Sequence, residues 1–456
     1  MALGRQTERQ DELFLTRDEM PRSRGHAFYD KLQEELIKAE FDRFAEDQCA
    51  PFYAKGKKGR PSIPPGRYFR MHLVGYFEGI DSERGMEWRC ADSLSLREFL
   101  RLGMGESVPD HSTLSRTRSR LSLEVHQQVF TWVLGVLAKS KLVSGGRIGV
   151  DASTMEANAA LKSIVRKDTG EHYRQMLARM AKESGIDTPT AEDLTRLDRQ
   201  RKGKKLSNED WTSPVDPDAR IAKMKDGRTH MAYKPEHAVD LDTGAIVGVE
   251  MHPADDGDTA TLEKTLETAH SNLNATIEAP PEEDDPAEVV ADKGYHSRDV
   301  LKSLEDGPWK SRISEPNRNG VNRWNGDHEA QRAVYNNRTR ISSTIAKATS
   351  KRRTELVERS FQHTLDRGGM RRAWLRGREN VHKRYLIHVA GFNLGLLMRQ
   401  KYGVGTPKGW ADRSYLLFAV IQTDFGLLIA IMAAMHGLSG PGVTFLPVAF
   451  AIVVAE

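Results

Sequence analysis

The sequence predicts an α/β fold, with a mixed sheet flanked by helices and preceded by an all-helical N-terminal domain. Three observations predict it. Apolar residues recur at helical spacing through most of the first 140 residues. Beyond them, the order strand, hairpin, helix, strand, helix, strand, helix describes one α/β layer. Two short apolar strands of that layer each end on an aspartate, Asp151 and Asp292.

The first predicted domain comprises residues 1–140. Its stretch HAFYDKLQEELIKAEFDRFAEDQCAPFY has the helical period, and GKKGRPSIPPGRYF interrupts that period with glycine and proline. Asp110 is then a good first residue for a helix that carries Arg116, Arg118 and Arg120. Short helices that close on an arginine-rich helix resemble a helix-turn-helix DNA reader. An ordinary helical bundle with exposed arginines explains the pattern equally well.

The second predicted domain comprises residues 141–405. RIGVDAS is a short strand ending at Asp151, and a polar insertion follows at about 161–229. MAYKPEHAVDLDTGAIVGVEMHP predicts two strands around a turn at 242–244. DTATLEKTLETAHSNL is an amphipathic helix, AEVVAD is the strand that ends at Asp292, and WKSRISEP is one further strand. The rest of the domain is helical and basic.

Positive charge is concentrated in two zones, although the net charge is only +4. Residues 338–384 hold 14 lysines and arginines against four acids, and residues 55–70 hold six against none. Such zones favour a polyanionic partner, that is, nucleic acid. The alternative is a solvated basic surface with no partner.

The cysteines and the two ends of the chain indicate the compartment. Cys49 and Cys90 lie far apart, outside any spacing typical of zinc, so they fit a reducing environment and inert thiols. The first residues lack the apolar core of a signal peptide. The tail, residues 406–456, is apolar, but polar residues and a Gly/Pro break interrupt it before the length of a membrane span. We therefore expect a cytoplasmic protein with a packed or poorly ordered tail of unknown role.

The two strand-terminal aspartates are the first candidates for chemistry. Ligands of open α/β sheets bind at strand ends. If the strands of Asp151 and Asp292 are neighbours, their carboxylates repel unless a proton or a cation lies between them. Oxygen ligands without histidine favour Mg²⁺, or Mn²⁺, over zinc. Each aspartate alone is more often a helix cap or a turn residue.

Glu358 is the best candidate for a third carboxylate. It lies in ELVERSFQHTL, beside a stripe of Val357, Phe361 and Leu365 that we expect to pack inward. A glutamate on an amphipathic helix is usually only solvated. The order Asp, Asp, Glu on strand, strand and basic helix is much more specific.

Several stretches carry a resemblance to the DDE transposases of bacterial insertion sequences. They are GRPSIPPGRYFRMHLVGYFEGIDSERGMEWR, SLREFLRLGMGESVPDHSTLSRTRSRL, GVDASTMEANAALKSIVRKDTG, YKPEHAVDLDTGAIVGVEMHPADDGDTATL, VVADKGYHS, YNNRTR, VERSFQHTLDRGGMRRAWLRGRENV and AGFNLGLLMR. They cover roughly residues 35–405 in the family's order. The resemblance implies a ribonuclease-H-like catalytic domain.

The resemblance also implies chemistry and partners. Asp151, Asp292 and Glu358 would hold two Mg²⁺ ions, with Mn²⁺ as a substitute, for in-line phosphodiester cleavage and strand transfer. The DNA partners would be terminal inverted repeats and target DNA. Pairing two element ends requires at least a dimer, and the family needs no small-molecule cofactor. A location on the bacterial nucleoid follows.

Candidate DNA-binding residues complete the prediction. Basic or aromatic side chains near the acids or on the N-terminal helix could contact phosphate. They are Arg116, Arg118, Arg120, Lys293, Tyr295, Tyr335, Arg338, Arg340, Arg353, Arg359 and His363. Solubility or packing is the alternative role for Lys293 and Tyr295.

The sequence departs from the family near its last acid. Arg353 stands five positions before Glu358, while Asp366 and Arg367 stand where a lysine is expected. This leaves the identity of the DNA-clamping residues open, and the apolar tail after about residue 410, which has no counterpart in the family, leaves the activity of this copy open. The alternatives are a metal-dependent nuclease on the same fold, a DNA-binding repressor and an inactive remnant. No phosphate-loop, HExxH or GxSxG motif supports other enzyme classes.

Overall fold

The architecture comes from a computed structural model that describes residues 26–54, 62–103, 105–201, 206–224, 227–317, 324 and 326–412. The apolar tail after residue 412 lies outside the described residues, so the expectation of a packed or poorly ordered tail stays a prediction. None of the helices in the described part of the chain is long and apolar enough to cross a membrane.

Seven α-helices precede the first strand in the described part of the chain. They are α1 (His26–Lys38), α2 (Phe41–Cys49), α3 (Pro65–Glu78), α4 (Glu83–Ala91), α5 (Leu94–Phe99), α6 (His111–Arg120) and α7 (Leu123–Lys139). Asp110 caps α6 as predicted, because its Oδ1 accepts the Thr113 N–H at 2.6 Å. The turn between α3 and α4 uses Gly79 at φ +68°, in the left-handed region where a side chain is strained.

The remaining elements comprise both strands and helices. The strands are β1 (Arg147–Ala152), β2 (Met155–Glu156), β3 (Val165–Arg166), β4 (Trp211–Thr212), β5 (Arg220–Lys223), β6 (Thr229–Asp240), β7 (Ile246–Pro253), β8 (Ala287–Ala291) and β9 (Trp309–Ile313). The helices are α8 (Tyr173–Glu183), α9 (Ala191–Gln200), α10 (Asp258–Thr276), α11 (Arg298–Glu305), α12 (His328–Ser342), α13 (Thr344–Phe361) and α14 (Arg378–Tyr402).

The main sheet is mixed. β6 pairs antiparallel with β1 and β7, while β1, β8 and β9 run parallel in that order. The hairpin that joins β6 to β7 turns at 241–245, which confirms the turn predicted at 242–244. A mixed sheet of this order, flanked by helices and preceded by a helical region, confirms the predicted ribonuclease-H-like fold class.

Helices cover both faces of the sheet. Gly248 of β7 lies so close to α10 that an added Cβ would be 2.8 Å from the Ala269 Cβ. On the other face, a Cβ at Gly149 of β1 would lie 3.2 Å from the Val357 side chain of α13. Gly248 and Gly149 therefore let one helix on each face approach the strands closely.

The helical region packs directly on the α/β layer. α7 packs on α10 and α14, and one continuous apolar core joins these elements. The predicted insertion at 161–229 holds α8, α9 and the short β3–β4 ladder. The domain limits at residues 140 and 405 stay predictions.

Candidate active site

The two candidate aspartates lie side by side at one edge of the sheet. Gly149 of β1 aligns with Val290 of β8 in a parallel pair. Asp151 and Asp292 each lie two residues further on, so the same register places them beside each other. Residues two apart on a strand share a face. Asp151 therefore belongs to the face that α13 covers, whereas Asp292 follows the last residue of β8; both side chains are partly exposed.

Asp292 also caps the turn that follows β8. Its Oδ1 accepts the Gly294 N–H at 2.8 Å and so caps a single 3₁₀ turn, Lys293–Tyr295. A Cβ on Gly294 would be 3.0 Å from this Oδ1 and 2.6 Å from the Asp258 Oδ2. A larger residue here would require the Asp258 side chain to move, because the turn passes between two carboxylates.

Tyr295 anchors this turn to the sheet. Its hydroxyl donates to the Glu236 Oε1 at 2.7 Å, and both residues are fully buried. Burial and the nearby carboxylates of Glu236 and Asp258 raise the pKa of Tyr295 well above its usual value, so the hydroxyl stays a donor. The Glu236 carboxylate also accepts hydroxyl hydrogen bonds from Thr261 and Thr265 of α10. The loop of Asp292 is thereby tied to β6 and α10.

Helix α13 crosses the strands on the face of the sheet opposite α10. Its N-cap, Ser343, accepts a hydrogen bond at 2.9 Å from Arg312 of β9. Its last turn lies over β6, where Ser360 Oγ is 2.8 Å from the His237 Nδ1 and Phe361 stacks on the same imidazole with centroids 4.1 Å apart. Burial lowers the pKa of His237 to about 3, so this contact is made by a neutral ring.

Because α13 crosses the strands, its two sides face opposite ends of β1. On one side, Arg352 donates to the Asp242 carbonyl at 2.9 Å, and Leu356 packs against Gly244 in the β6–β7 turn. That turn lies at the start of β1, because Ile148 pairs with the last residue of β6. Glu358 lies two residues past Leu356, about 200° around the helix. The helical period therefore places it on the side of α13 away from the β6–β7 turn, which is the side of the strand ends with the two aspartates.

The three acids fit a hard divalent cation in chemical kind, since all are carboxylates at one edge. Among the described residues, however, no three His, Cys, Asp or Glu side chains come close enough together to hold a metal ion. The Asp151 Oδ2 instead lies 2.9 Å from the Arg353 Nη2, and Glu358 is exposed. The structure thus pairs the two aspartates by strand register and leaves Glu358 on the overlying helix, outside a closed cluster.

Three of the predicted DNA contacts are buried in the structure. Arg118 is 5% exposed and forms an ion pair with Glu83 inside the helical region. Tyr295 is turned into the core toward Glu236. Arg353, on α13, is 7% exposed, and its side chain packs against β1. Each of these three side chains is largely buried and has a partner within the protein.

Three further predicted arginines already have acidic partners. Arg338 pairs with Glu315, Arg340 with Glu305, and Arg359 with Glu355 one helical turn earlier. All three remain partly exposed. Contact with a phosphate would require each guanidinium to share or exchange its carboxylate.

The remaining predicted contacts are accessible. Arg116, Arg120, Lys293 and Tyr335 are exposed. His363 is half-buried in the π-helical turn after α13. Burial, followed by the neighbouring arginines, lowers its pKa to about 4, so it offers a neutral ring. Val357, Phe361 and Leu365 are buried, which confirms the predicted inward stripe.

Two lysines near Glu358 were missed by the sequence analysis. Lys347 and Lys351 stand 11 and seven positions before Glu358, close to whole numbers of helical turns, so they share its side of α13. Both are exposed, and neither has an ion pair among the described residues. Their helical spacing could be seen in the sequence. Only the path of α13 over the sheet indicates that the side with Lys347 and Lys351 faces the edge with the two aspartates.

Comparison with known proteins gives two family matches. Residues 18–120 match the family described as "Transposase domain (DUF772)". Residues 183–394 match the family described as "Transposase DDE domain", a range that includes Asp292 and Glu358 but begins after Asp151. No solved structure matches the chain.

Proposed function

Since the chain belongs to the DDE transposases of insertion-sequence type, we propose that it cuts DNA at its element's terminal inverted repeats and joins the 3′ ends to target DNA. Asp151, Asp292 and Glu358 are the proposed catalytic acids. One feature supports this proposal: the β1–β8 register, extended by two residues, sets Asp151 beside Asp292, and the helical period of α13 turns Glu358 toward the same edge.

The proposed metal is Mg²⁺, with Mn²⁺ as a substitute, held by these three carboxylates. When bound, it would supply activation of the attacking oxygen and stabilisation of the leaving oxygen in a phosphodiester displacement. The protein's own residues set where this happens. The capped turn of Asp292 and its anchor through Tyr295 to Glu236 hold one carboxylate, and the seat of α13 on His237 holds the helix of Glu358.

The exposed basic residues are the proposed DNA contacts. Arg116 and Arg120 project from α6, and Lys293 follows Asp292 directly. Tyr335, Arg338, Arg340, Arg359 and His363 lie on or beside the helices around Glu358, and Lys347 and Lys351 are added to them. Such contacts would position the duplex without reading its sequence. Pairing two element ends calls for at least a dimer, and the nucleoid is the proposed place of action.

The test is the pair of wild type and Asp151→Asn on DNA that carries the element's terminal repeats. The variant removes one carboxylate charge and keeps the side-chain volume. We expect it to shift this DNA in a gel as wild type does, and to lose both cleavage and strand transfer. Wild-type cleavage by the variant would remove Asp151 from the site. Cleavage by wild type without any joining would favour a nuclease.

A further inference from the structure

Arg353 holds the carboxylate of Asp151 in this structure. Its Nη2 lies 2.9 Å from the Asp151 Oδ2, and its Nε and Nη2 also donate to the Val150 carbonyl at 3.1 and 3.0 Å. The other carboxylate oxygen of Asp151 accepts the Ala152 N–H at 2.9 Å. Both oxygens of this acid are therefore already bonded within the protein.

The position of Arg353 is built into the fold. The side chain lies flat along β1 at Gly149, where a Cβ would be 3.0 Å from the Arg353 Cγ. Val357, one turn later on α13, closes the same contact. An arginine that is 7% exposed and bonded to a strand carbonyl cannot serve as a surface contact for phosphate.

We infer that Arg353 competes with the divalent cation for Asp151, and so keeps this acid neutralised until a metal displaces the ion pair. The inference depends on the proposed metal role of Asp151. A guanidinium on Oδ2 and a doubly charged ion on the same carboxylate repel each other at a separation of a few ångströms. The arginine keeps its two hydrogen bonds to the Val150 carbonyl when the ion pair opens. It can therefore release the Asp151 carboxylate without moving away from β1.

Arg352 provides a matched control. It precedes Arg353 on α13 and also uses its guanidinium to bind backbone carbonyls, those of Leu241 and Asp242. It points to the opposite end of β1 and has no contact with Asp151. Arg352→Gln therefore removes the same kind of helix-to-strand bond without touching the acid.

The first experiment measures Mn²⁺ binding to the DNA-free protein by electron paramagnetic resonance. We expect Arg353→Gln to tighten Mn²⁺ binding about tenfold, because a competing charge is removed. Arg352→Gln should leave the affinity unchanged, and Arg353→Lys should fall between wild type and Arg353→Gln. Unchanged or weaker binding by Arg353→Gln would overturn the inference.

Asp151→Asn in the same assay separates this inference from the proposed function. If this variant binds Mn²⁺ as tightly as wild type, the metal role of Asp151 fails and the inference fails with it. If Asp151→Asn weakens binding but Arg353→Gln does not tighten it, the acid stays a metal ligand and only the competition is refuted.

The second experiment measures DNA affinity against salt concentration in EDTA. A lost phosphate contact would lower the slope of log affinity against log salt by about 0.9. We expect Arg353→Gln to keep the wild-type slope, since its guanidinium faces Asp151. A slope lowered by that amount would return Arg353 to the DNA contacts and overturn the inference.

Discussion

Charged side chains are used differently at the acidic edge of the sheet and at the junction between the N-terminal helices and α14. At the junction, Arg384 is 1% exposed and donates to the carbonyls of Ile80 and Asp81, and Arg118 pairs with Glu83. Burial lowers the pKa of Arg384 to about 10, which leaves it charged at neutral pH. These charges tie helices together.

At the edge, the charges have replaceable partners and face water. Asp151 and Asp292 are partly exposed, and Glu358 is exposed on the helix above them. The comparison indicates that a charged residue at the junction has a structural role, because its partner is also removed from water. A charged residue at the edge is available for chemistry or DNA where water or a ligand can replace its partner.

The largest expected effect concerns the acidic edge. Glu358→Gln should slow DNA cleavage by about 1000-fold or more, because loss of one metal ligand removes several kcal/mol of transition-state stabilisation. Binding to the element ends should stay within about twofold, since one phosphate contact at most is affected. Glu355→Gln, one turn earlier on the same helix, is the control and should cleave normally. Equal cleavage by both variants would contradict the distinction drawn for this edge.

The next effect tests the junction. Arg118→Met should lower the free energy of unfolding by about 3–5 kcal/mol, because it leaves the Glu83 carboxylate buried without its partner. Urea unfolding followed by circular dichroism measures this. Arg116→Met, two residues earlier and exposed, should change stability little and weaken DNA binding instead. A stable Arg118→Met protein that binds DNA poorly would reverse the assignment of these two arginines.

A smaller loss is expected where the edge meets the core. Burial by itself raises the pKa of the Glu236 carboxyl, but hydrogen bonds from His252, Thr265 and Tyr295 bring it below its usual value. Tyr295→Phe removes one of these bonds and should lower the free energy of unfolding at pH 7 by about 1.5–3 kcal/mol. Tyr335→Phe, on an exposed ring, is the control.

The pH dependence of that loss has a definite sign. A lowered carboxyl pKa stabilises the fold above the unfolded-state pKa, and this stabilisation disappears as pH falls through the folded-state pKa. The stability difference between wild type and Tyr295→Phe should therefore shrink below about pH 4.5, near the ordinary glutamate value. Urea unfolding at pH 7 and pH 4 checks this, and a difference that grows in acid would show that Glu236 is not the partner responsible.

The smallest effect tests the side of α13 that faces the edge. Lys347→Gln and Lys351→Gln should each lower the slope of log affinity against log salt by about 0.9, as expected for one lost phosphate contact. Lys310→Gln is the control, because this exposed lysine lies at the opposite end of the parallel strands. Equal slopes for all three variants would mean that DNA does not follow this side of the helix.

Much of the architecture could be predicted from local sequence. Alternation and turn residues located β1, the β6–β7 hairpin and β8, and the helical stripe of Val357 identified the inward side of α13. The same reasoning treated Arg116, Arg118 and Arg120 alike, although Arg118 is buried. Charge is a property of the residue, whereas the partner that neutralises it comes from a distant part of the chain.

The sequence by itself determined which strands end on an aspartate, because apolar alternation and the residue that stops it are local properties. Only the tertiary structure decided that Asp151 and Asp292 stand in register, that α13 crosses the sheet with Glu358 toward them, and that Arg353 binds Asp151. These relations join segments more than 60 residues apart. They depend on strand pairing and helix packing, which no local pattern of residue types records.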